Sequence, residues 1–392
     1  MSNAQTDFQP PVMGDRLRLA REDAGLTQAQ AAAKLDVART TIVAMEQGQR
    51  RVKIDELRNL AKLYKTSVNA LLRNEAVFAD MVPQFRRLHS KEDHEIERSA
   101  KQLSRLAQAE VELENLLGIT RARNYPPERP LLPGDVRRQA EEDATELRQR
   151  LGLGYAPVHD IFALLEVEMG VRLYQRPLEG RISGLFAYDD GVGACILINL
   201  SHPRERRVQT AAHELGHLIS SRRHAEVLEL DEDLNSREER YADVFARSFL
   251  TPRRALTERF KEIAAGSSFL TRRHVIVLSY LFGVSREALV RRLEELKLTK
   301  AGTWDWFQEN GGITDTQMRQ VLGDRSAADA NMESNCPTSL RLALLANEAW
   351  RRELLSEGQL AQLLQLGRIE MREMLDSFDM EPGNGERTIQ TH

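Results

Sequence analysis

The sequence predicts a mainly α-helical protein with more than one domain. Between Arg204 and Ser221 there is no proline and only one glycine, Gly216, and apolar residues recur there at helical spacing. Apolar residues recur at the same spacing from Leu17 to Leu72 and from His274 to Leu298. At 392 residues, of which 41% are hydrophobic, the chain is long enough for two or three domains with their own cores.

The segment from Leu17 to Leu72 is predicted to form five short helices. Thr27 is a favourable N-cap, and Gln30 three residues later completes a capping box. A short turn at 36–38 leads into a second helix, which Gly48 ends. Two short helices joined by so tight a turn form a helix-turn-helix.

This segment resembles the Cro/C1-type helix-turn-helix domains of the XRE family. The resemblance covers about 60 residues and includes Gly25-Leu26-Thr27-Gln28, Ile42, Glu46 and Gly48 in the family's order. It implies that 39–47 is the recognition helix and that the partner is a double-stranded DNA operator, bound by a homodimer at two half-sites. The residues implied to contact bases or phosphates are Gln28, Arg39, Thr40, Thr41, Gln47 and Arg50.

Local charge agrees with DNA binding, although the whole chain does not. The net charge of the chain is −4, which argues against a general nucleic-acid binder. Residues 13–74, however, hold 12 Lys and Arg against 7 Asp and Glu, a net of +5. Arg50, Arg51 and Lys53 cluster after the recognition helix, where phosphates would lie. A helix-turn-helix used only for protein contacts stays open as an alternative.

A charged connector follows this domain. The stretch from Gln84 to Leu117 has no glycine or proline, and an apolar stripe interrupted by Glu110 runs along it. The stripe suits a long helix that packs on its own domain, with a partner helix of a second subunit as the alternative. The proline-rich stretch from Tyr125 to Gly134 is predicted to be a semi-rigid linker.

The most informative stretch is His213-Glu214-Leu215-Gly216-His217. Residues four apart share one face of a helix, so both imidazoles can bind one zinc ion, and Glu214 on the same turn is placed to act as the general base of a hydrolase. Zinc with two histidines needs one more protein ligand. We predict Glu239 as that ligand, with Glu238 as a less well-oriented rival, and Asp243 as the hydrogen-bond partner of a ligand histidine.

These residues, followed by Ala242, Phe245, Ala246, Leu250 and Pro252, resemble the ImmA/IrrE metallopeptidases, a gluzincin-like group. The resemblance implies a zincin-like domain that begins with helices between Leu151 and Val171. It also implies a small antiparallel sheet from Ile182–Phe186 and Ile196–Asn199, so that the fold class is α+β. It implies Zn²⁺ as the cofactor and a protein as the substrate. One residue departs from the family: many relatives have a histidine where this chain has Ser221, and His224 is out of register.

We therefore predict five segments. They are a helix-turn-helix domain (13–74), a helical connector with the proline-rich linker (75–134), a zinc metallopeptidase domain (135–310), a C-terminal helical region (311–378) and a disordered tail (379–392). By the resemblance, the helical pair within 274–298 is structural. The sequence leaves open whether the C-terminal region covers the active-site groove or mediates self-association.

Two functions fit these motifs. The first is a cytoplasmic transcriptional regulator whose zinc endopeptidase cleaves a repressor-type protein, or the chain itself, in a stress, phage-immunity or mobile-element response. The alternative is a sensor or antitoxin-like transcription factor whose zinc domain binds a metal, ligand or partner without physiological proteolysis. We expect no membrane-spanning segment, no signal peptide in the polar N-terminal stretch, and no disulfide framework from the two cysteines, Cys195 and Cys336.

Overall fold

The structure is a computed structural model that describes residues 10–64, 66, 71, 94–222, 226–229, 236–267, 269–323 and 338–378. The chain divides into two compact units, residues 1–78 and residues 79–392. The predicted disordered tail, 379–392, as well as His224 and Cys336, lie outside the described residues.

The first unit is helical, as predicted. Its helices are α1 (Pro10–Asp23), α2 (Gln28–Lys34), α3 (Arg39–Glu46) and α4 (Ile54–Tyr64). The capping box is confirmed: Gln30 N donates to Thr27 Oγ1 (3.2 Å), and Thr27 N donates to Gln30 Oε1 (2.9 Å). The fifth predicted helix falls largely outside the described residues, although Leu71 is helical and buried.

The second unit is α+β, which confirms the predicted fold class. Its first half contains α5 (His94–Leu117), α6 (Val136–Arg150), α7 (Ile161–Ala163) with a π-helical turn (Leu164–Glu168), β1 (Arg172–Arg176), β2 (Ile182–Asp189), β3 (Gly193–Asn199), α8 (Arg204–Ser220) and β4 (Glu226–Glu229). Its second half contains α9 (Arg237–Leu250), α10 (Arg253–Ile263), α11 (Arg272–Phe282), α12 (Arg286–Glu295), α13 (Thr303–Glu309), α14 (Asp315–Leu322), α15 (Leu340–Arg351), α16 (Glu357–Leu363) and α17 (Arg368–Asp376). Among the described helices, none is long and apolar enough to cross a bilayer.

The sheet is mixed, not wholly antiparallel as predicted. Its strand order is β1-β3-β2-β4, and β2 is antiparallel to both of its neighbours. The first strand, β1, pairs in parallel with β3, with Leu173 opposite Ile196. A parallel pair needs a crossover connection, and here the chain makes it by running through β2 before it returns in β3.

Helix α5 packs on its own unit, against the sheet and α15. Glu110, which interrupts its apolar stripe, is 1% exposed and pairs with Arg121 (2.7 Å) and Arg172 (3.2 Å). The proline-rich stretch is extended but bound to the unit, since Arg129 N donates to the carbonyl of Ile219 at the end of α8 (2.7 Å). The domain boundaries given above stay predictions.

Candidate metal centre and nucleic-acid interface

Three predicted ligands meet at one point beside helix α8. His213 Nε2 lies 3.1 Å from Glu239 Oε2, His217 Nε2 lies 3.3 Å from Glu239 Oε1, and the two Nε2 atoms are 3.0 Å apart. Among the described residues, this is the one group of three or more potential ligands close enough to hold a metal ion.

Local sequence explains how the two helices reach each other. The histidines are four apart on α8, so they share a face, while Ser236 caps α9 by accepting a hydrogen bond from Glu239 N (2.9 Å). At the crossing, a Cβ on Gly216 would lie 2.8 Å from Ala242 Cα, closer than atoms normally approach. The small residues Gly216 and Ala242 therefore allow α8 and α9 to pack closely enough to bring Glu239 to the histidines.

The pKa shifts of His213 and Glu239 favour the protonation states that bind a metal. Burial lowers the pKa of His213, against the opposing effect of its hydrogen bond to Glu239, so the imidazole is neutral near pH 7. Burial alone would raise the pKa of Glu239, but hydrogen bonds with His213 and His217 outweigh it and bring the pKa far below its ordinary value. Neutral imidazole and ionised carboxylate are the metal-binding forms.

The spacing also fits zinc. Ligand atoms about 2.0–2.1 Å from a tetrahedral ion lie about 3.3 Å from one another. The separations here, 3.0, 3.1 and 3.3 Å, are close to that value. The residues present therefore fit a two-histidine, one-carboxylate metal site.

Glu214 is fully buried on the same turn of α8. A Cβ on Gly184, in β2, would lie 2.9 Å from Glu214 Oε1 and 2.5 Å from Thr210 Cγ2, so this glycine leaves the space that the carboxylate occupies. The sequence alone does not single out Gly184. The available signal was a glycine inside an apolar strand, which often marks a close approach of another group.

The remaining predicted residues beside the ligand cluster differ in their surroundings, and Asp243 is close enough to His213 for its charge to raise the pKa of that imidazole. Glu238, the rival ligand, is exposed. Asp243 forms an ion pair with Arg247 (2.9 Å), one turn further along α9, and its predicted bond to a ligand histidine stays a prediction. Ser221 lies just beyond α8 in extended conformation.

In the first unit, the recognition helix presents most of its predicted contact residues to solvent. Arg39, Thr40 and Gln47 are exposed, and Thr41 is half-buried. The half-buried Gln28 is already oriented, because its amide donates to Glu46 Oε2 (2.9 Å) and accepts from Arg39 Nη2 (3.5 Å).

The partner that holds Glu46 in place is Arg21, 2.6 Å away in a buried ion pair. Arg50 forms an ion pair with Glu56 (2.8 Å), so its guanidinium contacts a carboxylate as well as solvent. Arg39 and Gln28 are therefore held by a polar network that extends to the buried pair of Glu46 and Arg21, whereas Arg50 is held separately by Glu56.

Comparisons with known proteins agree with the two predicted types of domain. Residues 12–73 match the model of a helix-turn-helix domain family, and residues 167–294 match the model of the IrrE N-terminal-like domain. No curated protein matches the chain. The crystal structure of ComR from Streptococcus suis aligns with 94% of this chain and 94% of its own at 9% identity, but its TM-score of 0.16 supports no argument. The chain thus joins a segment similar to helix-turn-helix domains to a metallopeptidase-like segment similar to IrrE, in the order that the sequence predicted.

Proposed function

We propose that this chain is a DNA-binding transcriptional regulator whose second unit is a zinc-dependent endopeptidase. Its substrate is a repressor-type regulatory protein or the chain itself, cleaved in a stress, phage-immunity or mobile-element response. The observation that carries the proposal is the convergence of His213, His217 and Glu239, with Glu214 buried next to His213 in the sequence of α8.

In this proposal, His213, His217 and Glu239 hold the ion. Zn²⁺ supplies a Lewis acid that polarises a peptide carbonyl and lowers the pKa of water. Glu214 accepts the proton of the attacking water and passes it to the leaving amine, as general base and then general acid. Its burial between α8 and β2 keeps bulk water from the carboxylate, and Gly184 fixes where that carboxylate can lie.

The first unit brings this chemistry to DNA. The exposed Arg39 and Thr40 at the start of α3 are the residues proposed to contact base edges in the major groove. Gln28 orients Arg39 from the neighbouring helix. The +5 charge of residues 13–74 supplies the attraction to phosphates.

The test compares Glu214→Gln with the parent chain, both loaded with zinc. Each is incubated with candidate repressor proteins and alone, and new peptide termini are detected by mass spectrometry. Loss of a general base slows hydrolysis by roughly 10²–10⁴-fold. Glu238→Gln is the matched control, because it removes an exposed carboxylate beside a ligand and should leave the rate unchanged.

If the parent and Glu214→Gln leave every protein intact yet bind the same operator equally well, the proposal that this chain is a protease is wrong. The sensor or antitoxin-like transcription factor, in which the centre binds a metal, ligand or partner without hydrolysis, then takes its place.

A further inference from the structure

The C-terminal region contains a second helix-turn-helix with the same backbone as the first. Ser356 and Gln359 form a capping box at the start of α16, as Thr27 and Gln30 do at the start of α2, and both first helices are seven residues long. The turn residues Asp36 and Gln365 both have positive φ, 53° and 55°.

The hydrogen bonds of the two turns also correspond. In the first, Val37 N donates to Ala32 O (3.0 Å), and in the second, Leu366 N donates to Ala361 O (2.9 Å). The second helices then begin at equivalent positions, Arg39 and Arg368. Buried residues match as well: Ala31, Ala32, Ile42 and Met45 correspond to Leu360, Ala361, Met371 and Met374.

The exposed face of this second motif is unlike the DNA-contacting face of a helix-turn-helix. Ile369, at the position of Thr40, is 75% exposed. Carboxylates at Glu357, Glu370 and Asp376 take the positions of Gln28, Thr41 and Gln47, and the charge of 356–378 is −2. Phosphates would repel such a face, so the same backbone is directed at a different kind of partner.

Exposed apolar residues indicate where two chains can meet. A regulator that reads two half-sites needs two copies. The described residues of the chain include eleven large hydrophobic side chains that are exposed to solvent. Four of these eleven lie within 340–378, and none lies among the described side chains of residues 13–64. These four are Leu340, Leu344, Leu354 and Ile369.

The charges beside Ile369 are self-complementary. At 100° per residue, Arg368 and Arg372 lie on one side of Ile369, and Glu370 and Glu373 lie on the other. All four are exposed, although Arg372 also pairs with Glu357 (3.2 Å) and Glu370 caps α17 by accepting from Gly367 N (2.9 Å). Two copies of α17 can lie side by side in parallel, related by a two-fold axis that runs in the direction of the helices. In this arrangement, the basic side of each helix faces the acidic side of the other.

We propose that the C-terminal helix-turn-helix, Ser356–Asp376, is the dimerisation module of this chain, with α17 of a second copy as its occupant. Ile369 is the apolar anchor at the centre of the contact, and the flanking charges fix the parallel orientation. The expectation of a dimer rests on the proposed function, because a regulator that binds two DNA half-sites needs two copies of the chain. The experiment requires neither DNA nor zinc, so either proposal can fail without the other.

The test is sedimentation equilibrium of the full chain. The parent should have twice the 44.6 kDa mass of one chain, and Ile369→Asp should dissociate at least tenfold more readily. Leu132→Asp is the matched control, because it places the same charge at a leucine that is 64% exposed elsewhere in the unit and should leave the dimer intact. Circular dichroism establishes that each variant keeps its helical content.

A charge exchange tests the orientation. Arg368→Glu alone should weaken the dimer, and adding Glu373→Arg should restore it, because the exchanged charges again oppose each other across a parallel contact. A monomeric parent, or a dimer that Ile369→Asp leaves unchanged, overturns the module. A dimer that Ile369→Asp weakens but the charge exchange does not restore overturns the parallel arrangement.

Discussion

Replacing Gly216 by alanine should weaken metal binding without touching a ligand. A Cβ at this position would lie 2.8 Å from Ala242 Cα and 3.2 Å from Ala242 Cβ. Since carbon atoms pack at about 3.5–4.0 Å, α8 and α9 must move apart by roughly 0.9 Å at their crossing. Metal–ligand distances tolerate only about 0.2 Å. Glu239, one turn before Ala242, would therefore leave the two histidines.

We expect the zinc affinity of Gly216→Ala to fall at least about tenfold, the smallest loss usual when the support of a ligand is removed. Overpacking costs roughly 1–3 kcal/mol, and the higher helix propensity of alanine offsets about 1 kcal/mol of it, so the metal-free protein should be only modestly destabilised. Competition with a chromophoric chelator measures the affinity, and thermal unfolding without metal measures the stability.

Gly358→Ala is the matched control. This glycine is also within a helix, α16, but nothing lies within 4 Å of the position of its Cβ. Alanine should stabilise the protein there by about 0.5–1 kcal/mol and leave zinc affinity unchanged. If Gly216→Ala binds zinc as tightly as the parent, the close approach of α8 and α9 does not set the geometry of the centre.

Three further outcomes follow from named contacts. Glu46→Ala removes the buried carboxylate that pairs with Arg21 and leaves that guanidinium only Glu22 and the carbonyl of Leu26. It should destabilise the first unit by up to about 3–5 kcal/mol, so an unchanged unfolding midpoint in circular dichroism would contradict it. Arg39→Ala should cost about 1–3 kcal/mol of affinity for an operator selected from random duplexes, and equal binding at fixed salt would place the recognition surface elsewhere. Burial raises the pKa of Glu110, but the charges of Arg121 and Arg172 outweigh this effect and hold the pKa below its ordinary value of 4.5. The ionised Glu110 therefore stabilises the folded chain above pH 4.5, and this stabilisation is lost as the pH falls through the lowered pKa. Glu110→Gln should flatten this acid dependence of the free energy of unfolding, and an unaltered slope would assign the effect to other groups.

The sequence was most informative where local rules decide the structure. The capping box of Thr27 and Gln30 depends only on two residues that are three apart. The position of His213 and His217 on one face depends only on the periodicity of a single helix. Such features need no knowledge of the rest of the chain. Glu239 could be chosen over Glu238 for the same reason, because only one of two adjacent residues can face α8.

Features that depend on distant contacts were harder to predict. Glu110 interrupts the apolar stripe of α5, yet it is buried because Arg121 and Arg172, from other segments, neutralise it. Strand β1 begins and ends with arginines, and it is a strand because β3 pairs with it. The proline-rich stretch resembled a linker, but Arg129 binds the carbonyl at the end of α8.

The measurement that tests the central claim most directly is the zinc content of the purified chain after dialysis, determined by mass spectrometry for the parent, His213→Ala and Glu239→Ala. The geometry of the three donor atoms predicts one zinc ion per parent chain and a substoichiometric amount in both variants. Full zinc occupancy in Glu239→Ala would remove Glu239 from the ligand set, and a parent chain without zinc would contradict the metal centre itself.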